Sequence, residues 1–272
     1  MIGIDSQNLL YIAASKASKS MKSDDYAIVE VFFHNFNDYY RNSSDKKFFS
    51  VWEGVLDENY RRRIYPHYKT NRNNQLRDKI NSNVINMIQE GLKSYGVLVL
   101  QVEYAEGDDL IYGCCEIFKE EKEIFVISRD TDFIQLYQKF NNVKVYDPYK
   151  REIVGKPDYD YILYKSLKGD DSDSIEGLNG IGAKRALNIL NNYETIYKTL
   201  NEDSRNIIER NLKLIDISKN ADMPKILEYI RHQKDKHDFH VNNENIKNFY
   251  KKYKLANLFK NFSFELGTDS FV

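Results

Sequence analysis

The sequence predicts an α/β protein: a mainly parallel central sheet flanked by helices, followed by a smaller C-terminal helical domain. Three features predict it. Short apolar runs alternate with amphipathic stretches across residues 1–165. The apolar runs are continuous, as in strands covered on both faces. From Asp158 onward strand signals fade and helical periodicity takes over. The expected division is therefore 1–165 and 166–272.

The elements follow in order. Met1–Asp5 is a short strand ending at an acid. Tyr26–Tyr40 is helical, with Ile28, Val31, Phe32, Phe36 and Tyr39 close to one face. Phe48–Trp52 is a second strand, followed at once by Glu53. Val84–Tyr95 is an amphipathic helix stopped by Gly96, and Val97–Val102 is a third strand. Asp108–Phe118 is a helix, Ile124–Ser128 a fourth strand and Val143–Tyr146 a fifth. Later helical patterns cover Ala186–Leu190, Ile207–Ile217 and Ile226–Arg231.

Composition narrows the function classes. With 42% hydrophobic and 30% charged residues over 272 positions, the chain can bury a core and is not disordered. Its apolar runs, such as Val97–Leu100 and Ile124–Ile127, fall far short of a bilayer span. No basic segment precedes an apolar one at the N-terminus, so no secretory signal is expected. The adjacent Cys114 and Cys115 imply neither a disulfide framework nor a thiolate metal site. A cytoplasmic setting is expected. Net charge is −1, but from Lys184 onward 16 Lys+Arg face 12 Asp+Glu, leaving about −5 on the rest. Within that acidic part lies a basic cluster, Arg61-Arg62-Arg63 with Lys69 and Arg72. Such a split suits a protein holding cations in one place and phosphates in another, and equally an ordinary solvated surface.

The placement of carboxylates is more specific. Asp5 ends the first strand and Glu53 follows the second. Glu106, Asp108 and Asp109 follow the third, and Asp130 and Asp132 the fourth. In an open parallel sheet the loops after the strands' carboxyl ends open on one side. These acids would repel one another without compensation. Hard divalent cations remove the conflict, and two ions roughly 4 Å apart support phosphodiester hydrolysis. No histidine lies at these strand ends, which speaks against His-rich zinc chemistry. Taken singly, each acid also reads as a helix-terminal or turn-capping residue.

A second motif runs from Gly169 to Ala186. Gly177, Gly180 and Gly182 let the backbone approach a ligand, and the following helix offers N–H groups to a phosphate beside Lys184 and Arg185. Its carbonyls suit a monovalent cation such as K⁺ at 177–182, and Asp170 and Asp173 add acids. The bland reading is a glycine-rich turn between two helices.

Together these residues resemble the 5′→3′ exonucleases of the flap-endonuclease superfamily, which have a PIN-like nuclease core and a helix–three-turn–helix DNA-binding module. The resemblance spans roughly residues 1–190 and rests on five motifs in family order. They are Ile4-Asp5, Tyr68-Lys69-x-x-Arg72, Glu106-x-Asp108-Asp109, Ser128-x-Asp130-x-Asp132-Phe133-x-Gln135-Leu136 and the Gly169–Ala186 hairpin. Within that superfamily the chain resembles the small bacteriophage enzymes, including the RNase H that removes RNA primers.

The resemblance implies a Mg²⁺-dependent nuclease using two ions, with Mn²⁺ as a substitute. It assigns Asp5, Glu106, Asp108, Asp109, Asp130 and Asp132 to metal binding, with Asp170 and Asp173 as the hairpin's further acids. Lys69 and Arg72 become the basic pair at the scissile phosphate, and Asp130 joins them as a catalytic residue. Residues 60–81 become an arch through which a 5′ strand passes, with Tyr60, Tyr65 and Tyr68 either stacking bases or packing in the core. Arg61, Arg62, Gly177, Gly180, Gly182, Lys184 and Arg185 complete the expected DNA-contacting set within the hairpin at 169–190 and the arch. Expected partners are DNA with a 5′ flap, nick or RNA primer, and single-strand-binding or replication proteins. A monomer without membrane contact is expected, in the host cytoplasm if viral.

Three departures stand out. Glu53 occupies a position commonly Asp, with one extra residue before the Tyr-Lys motif, and is included among the metal ligands. Arg129 stands where the family often has Gly. The usual Ser-Asp-Asn-Ile-Pro-Gly reads Ser172-Asp173-Ser174-Ile175-Glu176-Gly177. Beyond about Tyr193 no role is carried over. Competing classes are a PIN-type ribonuclease on single-stranded RNA, which lacks the hairpin module, and an inactive branched-DNA-binding module, which would lack the acids. A phosphatase needs a second acid two residues after its nucleophile, whereas Ser6-Gln7 follow Asp5.

Overall fold

The computed structural model describes residues 1–19, 25–71 and 80–265. Two compact units form, each assembled from separated stretches. One comprises Met1–Val51, Asn74–Leu100 and Gln233–Val272, the other Trp52–Asn73 and Gln101–His232.

In the first unit, β1 (Ile2–Asp5) pairs in parallel with β2 (Phe48–Trp52), Ile2 opposite Phe48 and Asp5 opposite Val51. The third strand, β3 (Leu98–Gln101), neighbours β2. Every residue of β2 is buried, including Ser50 at its centre, whose Oγ lies 2.6 Å from Ser6 Oγ. Helix Ser6–Lys19 starts directly after Asp5, whose Oδ1 accepts from Asn8 N at 3.0 Å. Leu9, Leu10, Ala13, Ala14 and Ala17 line its buried face, and the small alanines admit the neighbouring helix Asp25–Asn42 closely. That helix buries Ile28, Val29, Phe32, Phe33 and Phe36, one stripe at helical spacing. The expected helix at 84–95 is present as Ser82–Ser94. Helices Asn243–Lys252 and Ala256–Glu265 complete this unit: Tyr250 Oη lies 2.5 Å from Tyr95 Oη, which donates to Asn37 Oδ1 at 2.7 Å.

In the second unit, β4 (Ile124–Ile127) runs parallel to β5 (Val143–Asp147), and the short β6 (Glu152–Ile153) pairs antiparallel with β5. Helix Gly107–Ile117 buries Leu110, Ile111, Cys114 and Cys115. Helices Tyr161–Lys168, Ala183–Leu190 and Glu202–Ile215 pack around Leu167, Leu178, Ala186 and Ile208. Between the first two, β7 (Gly169–Asp170) and β8 (Ile175–Glu176) form a small antiparallel ribbon. The ribbon closes tightly: a Cβ on Gly177 would lie 2.1 Å from Lys168 O. The strands are thus mixed but mainly parallel and flanked by helices, as the sequence predicts. Among the described residues no helix is long and apolar enough to cross a membrane.

Candidate active site

The site in the second unit is framed by buried cations. Helix Tyr60–Ile64 is capped by Asn59, whose Oδ1 accepts from Arg62 N at 2.8 Å and whose Nδ2 donates to Glu106 Oε1 at 3.1 Å. The helix turns Arg61 inward, where it is 3% exposed. Its fork donates to Asp109 Oδ1 and Oδ2 at 2.9 and 3.0 Å and to Glu106 Oε2 at 3.1 Å, and its Nε donates to Leu214 O at 2.9 Å. The expected DNA contact at Arg61 is therefore replaced by an internal one, because its donors are committed to buried acceptors. Arg62 donates to Tyr68 O, and Arg63 to Asp222 and to Glu58 O. What reads in sequence as a basic patch is largely scaffolding.

Tyr68 and Lys69 join two groups of acids. Tyr68 is buried against Ile162, Ile175, Leu214 and Ile215, so it packs in the core rather than stacking bases. Its Oη lies 2.9 Å from Glu106 Oε2 and 3.1 Å from Asp173 Oδ2. Lys69 adopts a left-handed φ of 58°. Its N–H donates to Asp173 O at 2.8 Å and its Nζ to Glu106 Oε1 at 2.7 Å. Ser174, at the family's usual Asn position, is also left-handed with φ 58°. Asn tolerates that conformation better, and here the Ser174 hydroxyl, donating to Asn71 Oδ1 at 2.6 Å, helps offset the cost. Arg72 lies outside the described residues.

Glu106 caps helix Gly107–Ile117 in a capping box, its own N–H donating to Asp109 Oδ2 at 3.1 Å. Asp109, fully buried, has both oxygens engaged by Arg61. Asp108 sits in the same helix's first turn. Asp130 caps the turn after β4 through Asp132 N at 2.9 Å. Asp132, Asp170 and Asp173 bring carboxylate oxygens within 4.8 Å of one another. They line a cavity of about 220 Å³ with Asp130, Tyr161 and Lys165. Lys165, on helix Tyr161–Lys168, pairs with both Asp132 and Asp170. Asp5 belongs to the first unit, where it ends β1 and is buried. Glu53 follows β2, half-buried, its carbonyl accepting from Gln101 Nε2 at 2.9 Å.

Electrostatics divide these acids. Burial, then the Asp130 charge, pushes Asp108 well above the usual carboxylate range. Burial and Asp130 likewise push Asp132 up to about 7, against the opposing pull of Lys165. Burial acts on Glu106 and Asp170 too, but Lys69 and Arg61 hold the first below its ordinary value and Lys165 the second. A carboxyl raised in the native state binds more protons folded than unfolded, so it favours folding at low pH and loses that effect as pH rises through its native pKa. Metal-free protein should therefore lose stability from about pH 4 to 7 through Asp132, whose native pKa is about 7. Thermal melts in EDTA of wild type and Asp132→Asn would check this, the variant showing the shallower slope. Glu106 and Asp170 act in the opposite sense, in the acid range below the ordinary carboxylate pKa.

The charge balance tests whether divalent ions fit. Among the described residues, Glu106, Asp108, Asp109, Asp130, Asp132, Asp170 and Asp173 gather with Arg61, Lys69, Lys165 and Lys168, so acids outnumber these cations. Divalent ions would offset that excess, and an all-oxygen donor set suits hard cations. Cys114 and Cys115 contribute nothing there, since burial pushes both thiols up.

At the hairpin, Gly180 is left-handed at φ 72° and Gly182 caps helix Ala183–Leu190. Lys184 and Arg185 are exposed, as is Gly180, while Gly177 is half-buried. Arg185 Nη1 donates to Gly180 O at 2.7 Å, so one carbonyl expected to face a monovalent cation receives a guanidinium instead. Sequence reading missed Lys165 and the inward Arg61. The first had a signal, a lysine on the apolar face of its helix with Tyr161 and Ile162, and the second had none.

A mainly parallel α/β core with carboxylates gathered around a small cavity is the architecture of a metal-binding nuclease. Residues 1–162 match the 5′-3′ exonuclease, N-terminal resolvase-like domain. The chain therefore belongs to the 5′-3′ exonuclease family. It is 26% identical over 213 residues to a 5′-3′ exonuclease of Mycoplasmopsis pulmonis, covering 75% of this chain and 70% of that protein. It is 32% identical over 151 residues to a 5′-3′ exonuclease of Mycoplasma genitalium, covering 50% of this chain and 51% of that protein. Its fold is similar to bacteriophage T5 flap endonuclease, solved as a pseudo-enzyme–product complex with DNA and metal ions, with a TM-score of 0.65 at 16% identity over 93% of this chain and 97% of that one.

Proposed function

We propose that the chain hydrolyses phosphodiesters at DNA 5′ ends, 5′ flaps and RNA–DNA primers, using two Mg²⁺ ions for which Mn²⁺ can substitute. The convergence of Asp132, Asp170 and Asp173 beside Lys165, with Tyr68 tying Asp173 to Glu106, carries this reading. When bound, such ions make water nucleophilic at neutral pH and stabilise the leaving oxygen. Asp108, Asp130, Asp132, Asp170 and Asp173 serve as ligands, and Asp5 and Glu53 keep the ligand roles their motifs imply. Glu106 and Asp109, expected as metal ligands, hold Lys69 and Arg61 instead, because their oxygens already accept from those buried cations. Lys165 orients Asp132 and Asp170. Lys69, with Arg72, places positive charge against the scissile phosphate. Lys184, Arg185 and the N-terminus of helix Ala183–Leu190 grip a duplex backbone.

A 5′-labelled flap and an RNA–DNA hybrid, incubated with and without Mg²⁺, test the reading. Short labelled products or a released flap are expected only with Mg²⁺. Cleavage confined to single-stranded RNA would favour a ribonuclease, and no cleavage of any substrate would overturn the proposal. Mg²⁺ should also raise thermal stability, by about 2.7 kcal/mol at a concentration 100-fold above its Kd, because it binds only the folded cluster.

A further inference from the structure

We propose that Arg129 and Tyr149 form a contact site for a single strand of nucleic acid beside the acidic cluster; the choice of ligand rests on the nuclease reading. The site comes from two neighbouring strand ends. β4 and β5 are parallel with Ile127 opposite Tyr146, so their carboxyl ends leave the sheet side by side. Ser128 N donates to Tyr146 O at 3.1 Å, joining the two exits. From β4 the chain continues through Arg129 to Asp130, which lines the carboxylate cavity. From β5 it enters a turn fixed by Asp147. The Asp147 side chain accepts from Tyr149 N at 2.8 Å and Lys150 N at 3.1 Å, and its carbonyl from Arg151 N at 2.8 Å.

This fixed turn presents Tyr149 to solvent at 73% exposure. The Arg129 guanidinium carbon lies 4.6 Å from the Tyr149 ring centre. Arg129, Lys150 and Arg151 are themselves exposed. A flat exposed ring beside a planar cation offers stacking area to an unpaired base and a fork to the adjoining phosphate. Bases within a duplex are already stacked, so the ring selects a single strand. The carboxylates next door repel a polyanion, and a cation one residue from Asp130 offsets that repulsion where the strand must approach. An acidic protein surface would engage the cations but has no requirement for the ring.

The test measures binding by the full chain in EDTA, using single-stranded DNA carrying 2-aminopurine and duplex DNA of equal length. Tyr149→Ala should weaken single-strand binding about fivefold or more, remove the 2-aminopurine quench and leave duplex affinity close to wild type. Tyr149→Phe should restore binding and quench. Arg129→Gly should reduce the slope of log K against log salt by about 0.7 for each phosphate that the guanidinium neutralises in wild type. Unchanged affinity and quench in Tyr149→Ala, or an equal loss on duplex, would overturn the inference. Mg²⁺-dependent cleavage by wild type with unaltered binding by the variants would sink this inference alone. Strand binding lost in Tyr149→Ala with no cleavage by wild type would sink the nuclease reading alone.

Discussion

Asp130→Ala is expected to abolish Mg²⁺-dependent cleavage, by on the order of 10³-fold or more, while making the metal-free protein more stable. The two effects have one source. Asp130 lines the cavity with Asp132, Asp170 and Asp173, and after burial its charge is the largest influence raising Asp108 and Asp132. Without metal it is a repulsive neighbour, so removing it relieves the folded state. A bound divalent ion would make the same charge attractive, so its loss would weaken the hold on the ion. Melting curves in EDTA and in Mg²⁺, beside cleavage of a labelled flap, check both halves. The variant should melt above wild type in EDTA and gain less from Mg²⁺. The backbone cap that Asp130 makes to Asp132 N opposes the first effect. Asp130→Asn keeps the cap acceptor without the charge and should show the larger metal-free gain. Wild-type cleavage by Asp130→Ala would remove Asp130 from the chemistry.

The strands and the acids that end them were legible because both signals are local. Phe48–Trp52 is an apolar run broken only by Ser50 and is a strand at those residues, every one buried. Asp130 and Asp132 directly follow such a run, and parallel pairing of β4 with β5 fixes the end at which they emerge. Contacts between distant segments left no periodic trace. The sequence of helix Asn243–Lys252 names no partner for Tyr250, and only the fold shows Tyr250 meeting Tyr95 and Asn37. Cations were the least legible class. Arg61, Arg62 and Arg63 are consecutive, which in sequence signals a phosphate-binding patch. A short helix sends Arg61 inward and ties the other two to Tyr68 and Asp222. The number of charges was readable but their direction was not, because direction depends on where Glu106 and Asp109 sit in space. Lys165 shows the converse: two acids decided that an apolar helix face should carry a lysine.

Arg61→Ala should destabilise the protein by about 3–5 kcal/mol, a large part of a domain's total stability. The Arg61 and Asp109 side chains are 4% and 0% exposed and meet at 2.9 Å. Alanine would leave Asp109 buried without its bidentate partner, Glu106 short of one donor and Leu214 O without the Nε–H that now reaches it. The cost is mostly that of stranded acceptors, since making an ion pair from two solvated charges gains little. Arg61→Lys keeps the charge but lacks the fork, so it should recover only part of the loss. Removing both partners in Arg61→Met/Asp109→Leu should cost less than Arg61→Ala alone, because no charge is then left unpaired. Urea melts of the set measure this directly. Activity should fall with Arg61→Ala even where the protein remains folded, because Glu106 also holds Lys69 at 2.7 Å and shares the Tyr68 hydroxyl with Asp173. A surface arginine that grips DNA behaves differently: its loss flattens the salt dependence of binding and leaves the melt unchanged. If Arg61→Ala melts like wild type and binds DNA with a reduced salt slope, the inward anchor assigned to Arg61 is wrong.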